Sequence, residues 1–312
     1  MRIAFLGTPQ VAVPSLQALL EADDIEVAVV ITNPDRSRGR SRRAVPPPVK
    51  LAAQQAGVPV WQPERPREVR DELAALHLDA CAVVAYGALL PADVLAVGGR
   101  GFVNLHFSLL PRWRGAAPVQ HAIRAGDAVT GVTTFVLDEG MDTGPVLRRL
   151  EVPVDDTVTA GELLEHLAVA GAPVLVESIR ALVAGEEPID QPADGATLAP
   201  KITPDDVAID FTADAAEVSR LVRSASPSPG AHTRFRGKRL KVLQATPVEG
   251  DGPAGHVVAG DRGGVVVACA DGAVRLDEVQ PEGRARMDGA AFANGHRPRP
   301  GEPLGADAGE SR

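Results

Sequence analysis

The chain has 312 residues, a formal net charge of −9 and a pI of about 5.3, a balance that argues against a surface that is basic throughout and clings to nucleic acid. Apolar residues make up 45%, enough for the cores of two domains, while aromatics at 3% argue against a base-stacking platform. No apolar run approaches the roughly 18 residues needed to cross a bilayer, and MRIAFLGTPQ lacks the features of a signal peptide, so a cytoplasmic protein without a membrane partner is expected.

Ile3–Leu6 reads as a short strand that turns at Gly7-Thr8-Pro9. Val13–Leu20 carries an apolar face at helical spacing, and Val27–Thr32 is strand-like. Val49–Gln55 suits a helix, Val58–Trp61 a short strand, and Arg67–Leu76 a helix. Ala80–Ala85 is nearly continuous apolar, as expected of a strand buried on both faces. Phe102–Leu105 is another strand, and Pro118–Ala125 a helix stopped at Gly126. Val132–Leu137 and Val146–Val152 read as strands that could pair, and Thr159–Val183 as a long helix ended by Gly185. Such alternation predicts an α/β fold with a parallel sheet and a ligand site outside the carboxyl ends of its strands.

From Pro188 the periodicity vanishes, and residues 188–206, rich in Pro, Asp and Gly, read as a linker between domains at 1–187 and 207–300. Beyond it lie an amphipathic stretch, Ala215–Val222, and short strands at Ala231–Phe235, Leu240–Ala245, Gly255–Ala259, Val265–Cys269 and Ala273–Val279. Their close spacing predicts a small barrel or sandwich. Asp288–Asn294 suits a closing helix, and residues 301–312 read as a disordered tail.

Cys81 and Cys269 sit in apolar segments without C-x-x-C spacing and read as buried free thiols. The seven histidines form no H-x-x-x-H or Cys/His cluster, so no metal is expected, and His77, His121 and His166 read as structural or exposed. LGTPQ lacks the dinucleotide spacing, and GxxxxGK[ST] is absent.

Three segments carry chemistry. Asn104 and His106 are two apart on extended backbone, so both side chains point one way. Asn offers a donor for a developing oxyanion and His a group that transfers protons near neutrality, although a polar strand end has the same spacing. LDEGMDTGP brings Asp138, Glu139 and Asp142 after another strand, which predicts a place on the same side of the sheet. Alone it is an acidic turn; beside His106 a carboxylate would orient the imidazole and favour its charged form, giving an acyl-transfer site without a covalent nucleophile. PDRSRGRSRR places Arg36, Arg38, Arg40, Arg42 and Arg43 in a loop with interleaved Gly and Ser. It is either a solvated charge run or a handle for phosphates, small or polynucleotide.

Together these segments resemble the methionyl-tRNA formyltransferase family. The resemblance rests on NLHFSLLPRWRGAAP (Asn104–Pro118) and DEGMDTGP (Asp138–Pro145), supported by the initial strand and GTP, by AYG and LLP, by PPPVK, and by RLKVLQA and GHRPRPGEPLG, so it covers nearly the whole chain. It implies a Rossmann-like formyltransferase domain with a C-terminal OB-like β-barrel. It also implies formyl transfer from 10-formyltetrahydrofolate to the amino group of initiator methionyl-tRNA, in a monomer. Asn104 would donate to the oxyanion, and His106 would stabilise that charge or move a proton toward the folate nitrogen. Asp142 would hold His106 and help deprotonate the amine. Ser108, Leu109, Leu110 and Pro111 would line the folate site, with Val84, Tyr86, Gly87 and Leu90 as the wall against the pteridine ring and Asp138 in the same set. The five arginines would enter the acceptor-stem groove, and the barrel would hold the tRNA body.

Three departures stand out: Phe107 replaces a small residue or proline, Val11 replaces an aromatic, and SASPSPGAHT (Ser224–Thr233) lacks the usual Asn and Trp. Among rivals, a sugar-amine formyltransferase shares the folate chemistry, and a glycinamide ribonucleotide formyltransferase would need no such second domain. A non-catalytic tRNA- or folate-binding protein would not need Asn104, His106 and Asp142 together.

Overall fold

A computed structural model describes residues 1–37, 44–258 and 264–305. Its contacts divide into two units: Met1–Pro118, Val129–Pro153 and Leu164–Ala199 form the first, and Val119–Ala128, Val154–Leu163 and the described residues from Pro200 onward form the second. In chain order the elements begin with β1 (Arg2–Gly7), α1 (Val13–Leu20), β2 (Glu26–Ile31), β3 (Arg36–Ser37), β4 (Ala44–Val45), α2 (Pro48–Gln55) and β5 (Val60–Trp61). Next come α3 (Arg70–Ala75), β6 (Ala80–Val84), α4 (Ala92–Leu95), β7 (Phe102–His106), α5 (Pro118–Ala125), β8 (Val129–Val136), β9 (Val146–Pro153) and α6 (Ala160–Val183).

The first unit is built on a sheet of order β5-β2-β1-β6-β7-β8-β9. The strands from β5 to β7 are parallel, as the alternation predicts, and β6, whose ACAVV is buried throughout, lies at the centre. At the far edge β8 pairs antiparallel with both β7 and β9. This changes where the acidic loop starts. Val136 is level with Val103, so LDEGMDTGP leaves from the amino end of β7, not from the carboxyl end that a wholly parallel sheet would give. The loop reaches the other strand end only by running back along the sheet.

Alternation in β7 sends Leu105 to one face and Asn104 and His106 to the other. The Leu105 face is covered by α6, where Gly171 permits close approach: a Cβ there would meet Leu105 Cδ1 at 3.1 Å and Val132 Cγ1 at 3.2 Å. The start of α6 is fixed by a reciprocal cap, in which Glu162 N donates to Thr159 Oγ1 (3.3 Å) and Thr159 N to Glu162 Oε2 (2.9 Å). By length and composition α6 could cross a membrane, which counting uninterrupted apolar residues does not reveal, and half of its most apolar window is buried.

The second unit holds α7 (Ala215–Ala225), β10 (Ala231–Phe235), β11 (Lys238–Val248), β12 (Val265–Ala268), β13 (Ala273–Pro281), β14 (Met287–Asp288) and α8 (Gly289–His296). Its antiparallel sheet runs β10-β11-β13-β12 with β14 on β13, a curled half-barrel of the OB-like kind. Its core includes Phe211, Val222, Leu276, Phe292 and Leu304.

Several local expectations change. The helix read over Arg67–Leu76 is a 3-10 turn at Pro66–Val69 followed by the short α3, because the backbone leaves the helical region at Val69 (φ −115°, ψ 13°). The strand read at Gly255–Ala259 reduces to bridges at His256 and Val257, and residue 259 lies outside the described residues. The stretch read as a disordered tail is ordered as far as it is described: Leu304 is 4% exposed and bridges Phe235, since it fills the barrel core, whereas residues 306–312 lie outside the described residues. The first part of the stretch read as linker is bonded into the first unit. Ile189 exchanges backbone bonds with Val146 (2.8 and 2.7 Å), and Ala199 N donates to Arg114 O (2.7 Å). Proline and aspartate deny this segment a helix, but they leave its carbonyls and amides free to bridge neighbouring strands and loops. Both thiols are buried, and burial pushes Cys81 up to about 12 and Cys269 up to about 11.

Candidate active site

His106 ends β7 and is 6% exposed. Its Nε2 lies 2.9 Å from Trp113 O. A carbonyl only accepts, so Nε2 carries the hydrogen and, in the neutral ring, Nδ1 keeps its lone pair. That Nδ1 faces Asp142 Oδ2 at 3.7 Å, an ion-pair distance too long for a hydrogen bond. Phe135 meets the imidazole edge-on, with ring centroids 6.5 Å apart. Asn104 is half-buried and pairs across the sheet with Val83 and Phe135.

Asp142 is held in its turn. Gly115 N donates to Asp142 Oδ2 at 2.8 Å. Ala85, Trp113 and Asp142 all occupy left-handed backbone, with φ of 46°, 64° and 55°. Non-glycine residues there cost about 1–3 kcal/mol each, a strain held only by well-determined surroundings. The neighbouring carboxylate does other work: Asp138 accepts from Thr143 Oγ1 (2.8 and 2.9 Å) and Gly140 N (3.0 Å), closing the loop on itself.

These groups face a cleft with a volume of about 390 Å³. Asn104, His106, Gly115 and Asp142 are part of its polar lining; Val83, Tyr86, Leu90, Leu95, Phe107 and Leu137 are part of its apolar lining. Gly87 and Asp138 also line it. Burial, then the negative charge of Glu68, pushes the Tyr86 hydroxyl up to about 12, so this wall stays neutral. Among the described residues no group of three or more His, Cys, Asp or Glu could hold a metal ion.

Not every predicted residue reaches the cleft. Val84 is fully buried beneath it, and Ser108, Leu109, Leu110 and Pro111 are absent from its lining. Their segment is pinned below: Thr133 Oγ1 donates to Ser108 O (2.7 Å) and accepts from Leu110 N (3.0 Å), while Ser108 Oγ donates to Arg112 O (2.7 Å). These bonds hold the SLLP turn in place, because a polar backbone turn inside the fold must find its partners there. Arg36 is exposed in β3; Arg38, Arg40, Arg42 and Arg43 lie outside the described residues. The root of that loop is fixed by Asp35, held below the usual carboxylate range by Lys50 and then Gln62, both 2.8 Å away.

Sequence reasoning missed Gly115, whose amide meets Asp142, and Gln191, which lies in the stretch read as linker. RWRGAAP contains the glycine, but nothing in that motif names the carboxylate it serves. Gln191 carries no local signal at all.

A Rossmann-like sheet with Asn, His and Asp lining one cleft fits a group-transfer enzyme. Residues 1–179 match the family model described as formyl transferase, and residues 201–297 that of the formyl transferase C-terminal domain. The methionyl-tRNA formyltransferase of Streptomyces griseus is 50% identical, covering 98% of this chain and 100% of its own. That of Thermobifida fusca is 48% identical over the same shares. Among solved structures, the N-formyltransferase of Helicobacter canadensis with folinic acid and dTDP-3-aminofucose has a TM-score of 0.68 at 17% identity, covering 88% of this chain and 98% of that one. HypX of Aquifex aeolicus with tetrahydrofolic acid has a TM-score of 0.63 at 20% identity, covering 94% of this chain and 47% of that one. The chain belongs to the formyl transferase family, in its methionyl-tRNA formyltransferase branch.

Proposed function

We propose that this protein transfers the formyl group of 10-formyltetrahydrofolate to the α-amino group of initiator methionyl-tRNA, in the cytoplasm. The observation that carries the reading is the meeting of Asn104, His106 and Asp142 in the lining of a single cleft, in a chain 50% identical along its length to a methionyl-tRNA formyltransferase. The cleft suits the donor: an apolar wall with a neutral Tyr86 accepts a flat ring, and the polar side faces the transferred carbon.

The chemistry follows from the residues. The amine nitrogen bonds to the formyl carbon, the bond from that carbon to the folate nitrogen breaks, and the amine's proton ends on the folate nitrogen. Asn104 Nδ2 donates to the oxygen that becomes negative during attack. His106 Nε2 is occupied by Trp113 O, so Nδ1 is the ring atom that exchanges protons. Asp142 Oδ2 stands 3.7 Å from Nδ1, on the edge of the ring where the proton is exchanged. Ser108–Pro111 hold the turn beneath the site, and Asp138 shapes the loop that carries Asp142. Arg36, Arg38, Arg40, Arg42 and Arg43 supply the positive charge for the acceptor stem.

The test offers two acceptors. With 10-formyltetrahydrofolate, charged initiator tRNA should give N-formylmethionyl-tRNA and an aminosugar nucleotide should give nothing; formylation of the aminosugar alone overturns the reading. Replacing the five arginines with alanine should weaken tRNA binding and flatten its salt dependence, by about 0.7 to 0.9 in log–log slope for each phosphate that an arginine no longer neutralises.

A further inference from the structure

We infer that Gln191 is a positioning residue for the Asp142 carboxylate, an assignment that rests on the formyl-transfer reading. Its amide is fully used. Nε2 donates to Asp142 O (2.9 Å) and Gly144 O (2.8 Å), and Oε1 accepts from Arg114 Nε (3.1 Å) and Nη2 (2.7 Å). One side chain therefore grips the backbone on one side of the Gly115–Asp142 hydrogen bond and the arginine adjoining the other side. It touches neither Gly115 nor the Asp142 carboxylate.

The surrounding strap repeats this pattern. Trp113 N donates to Thr197 Oγ1 (2.9 Å), Arg114 N to Thr197 O (2.9 Å), and Ala117 N to Ala199 O (3.1 Å). Trp113 in turn presents the carbonyl that fixes the His106 tautomer. Gly115 has φ 124°, and a Cβ there would meet Ala199 O at 2.7 Å, so the strap lies directly on the turn that supplies the amide to Asp142. Residues 189–199 thus tie the 113–117 turn to the 142–146 loop. Asp142, in left-handed backbone, leaves the correct geometry readily once those ties are cut, and a misplacement of about 1 Å can cost about 10²-fold in rate.

Glutamine suits this place because it must donate to two carbonyls and accept from one guanidinium. Gln191→Glu keeps the Arg114 fork but cannot donate, and it sets a negative charge against Asp142 O and Gly144 O. A role limited to partnering Arg114 would be satisfied by glutamate; the positioning role is not.

The experiment compares wild type, Gln191→Ala and Gln191→Glu as full-length protein. Site-resolved hydrogen exchange without substrates should show faster exchange at the Gly115 amide in both variants. With 10-formyltetrahydrofolate and charged initiator tRNA, kcat should fall about 10- to 100-fold in both while KM for the folate holds. In an Asp142→Ala background the further loss from Gln191→Ala should nearly vanish. Unchanged Gly115 exchange, full activity in Gln191→Glu, or an undiminished loss in the Asp142→Ala background each overturns the assignment. A wild-type chain that formylates no methionyl-tRNA fails the functional reading alone, and the exchange comparison then decides the positioning by itself.

Discussion

In the polar lining of the cleft, His106, Asp142 and Gly115 are fixed by two hydrogen bonds that engage the Trp113 carbonyl, in left-handed backbone, and the Gly115 amide. In the apolar lining, Val83, Leu90, Leu95, Phe107 and Leu137 offer shape alone, and Leu89 is 78% exposed. A polar group acts in one orientation only, so its side of the cleft needs rigid support. An apolar wall works by the area it covers, so it tolerates small shifts. Substitutions on the polar side should therefore lower kcat, and those on the apolar side should raise KM for the folate.

The largest expected effect is at His106. His106→Ala should lower kcat by about 10²–10⁴-fold, the range of a general acid–base group, with KM for the folate within a few-fold of wild type. Turnover with the purified variant checks it, and a change confined to KM would erase the distinction between the two sides. Asp142→Asn asks a narrower question. The amide oxygen can still accept from Gly115 N, so geometry persists while the charge facing Nδ1 is lost. A fall of about 10²-fold in kcat is expected, the lower end of the same range. Full activity would mean that Asp142 serves only to anchor the turn.

His106 is legible in the sequence, and the support around it is not. Asn104 and His106 share one face because strand side chains alternate, which is a local rule. Asp142 shows through its motif, but the route by which it arrives does not, because nothing in VTGVTTFV announces that β8 runs antiparallel. The resemblance gives SLLP a place at the folate site, but not its anchor: the buried Thr133 that pins it lies 23 residues beyond Leu110, outside any local window. Gln191 is hidden for a related reason. Composition reports that 188–199 cannot form a helix, and it is silent on which distant carbonyls its side chains meet. The fold is more legible because repeated strand–helix units and a closely spaced strand series each dictate an architecture without knowledge of single contacts.

Phe107 sharpens the apolar half of the comparison. It is 7% exposed and lines the cleft between the histidine and the pinned turn, so the bulk that departs from the family pattern is accommodated as wall. Phe107→Ala should cost about 3 kcal/mol of stability, the low end for a buried phenylalanine. It should also raise KM for the folate about 10-fold, with kcat nearly unchanged. Denaturant melts and initial rates read the two effects separately. A large loss in kcat would instead place Phe107 with the polar side, as a buttress for His106.

Leu89 and Leu90 give the smallest and cleanest contrast. They are adjacent and both line the cleft, yet Leu90 is 6% exposed and Leu89 78%. Leu90→Ala removes a core side chain and should cost about 2–5 kcal/mol of stability. Leu89→Ala removes a side chain already in water, so the fold should change by less than about 0.5 kcal/mol. Its apolar area is gained only when a ligand covers the rim. Covering roughly half of a leucine contributes about 1 kcal/mol, which predicts a rise of about 5-fold in KM for the folate with kcat and melting temperature unchanged. If KM holds in Leu89→Ala, the donor stops short of the rim, and the apolar side of the cleft ends at Leu90.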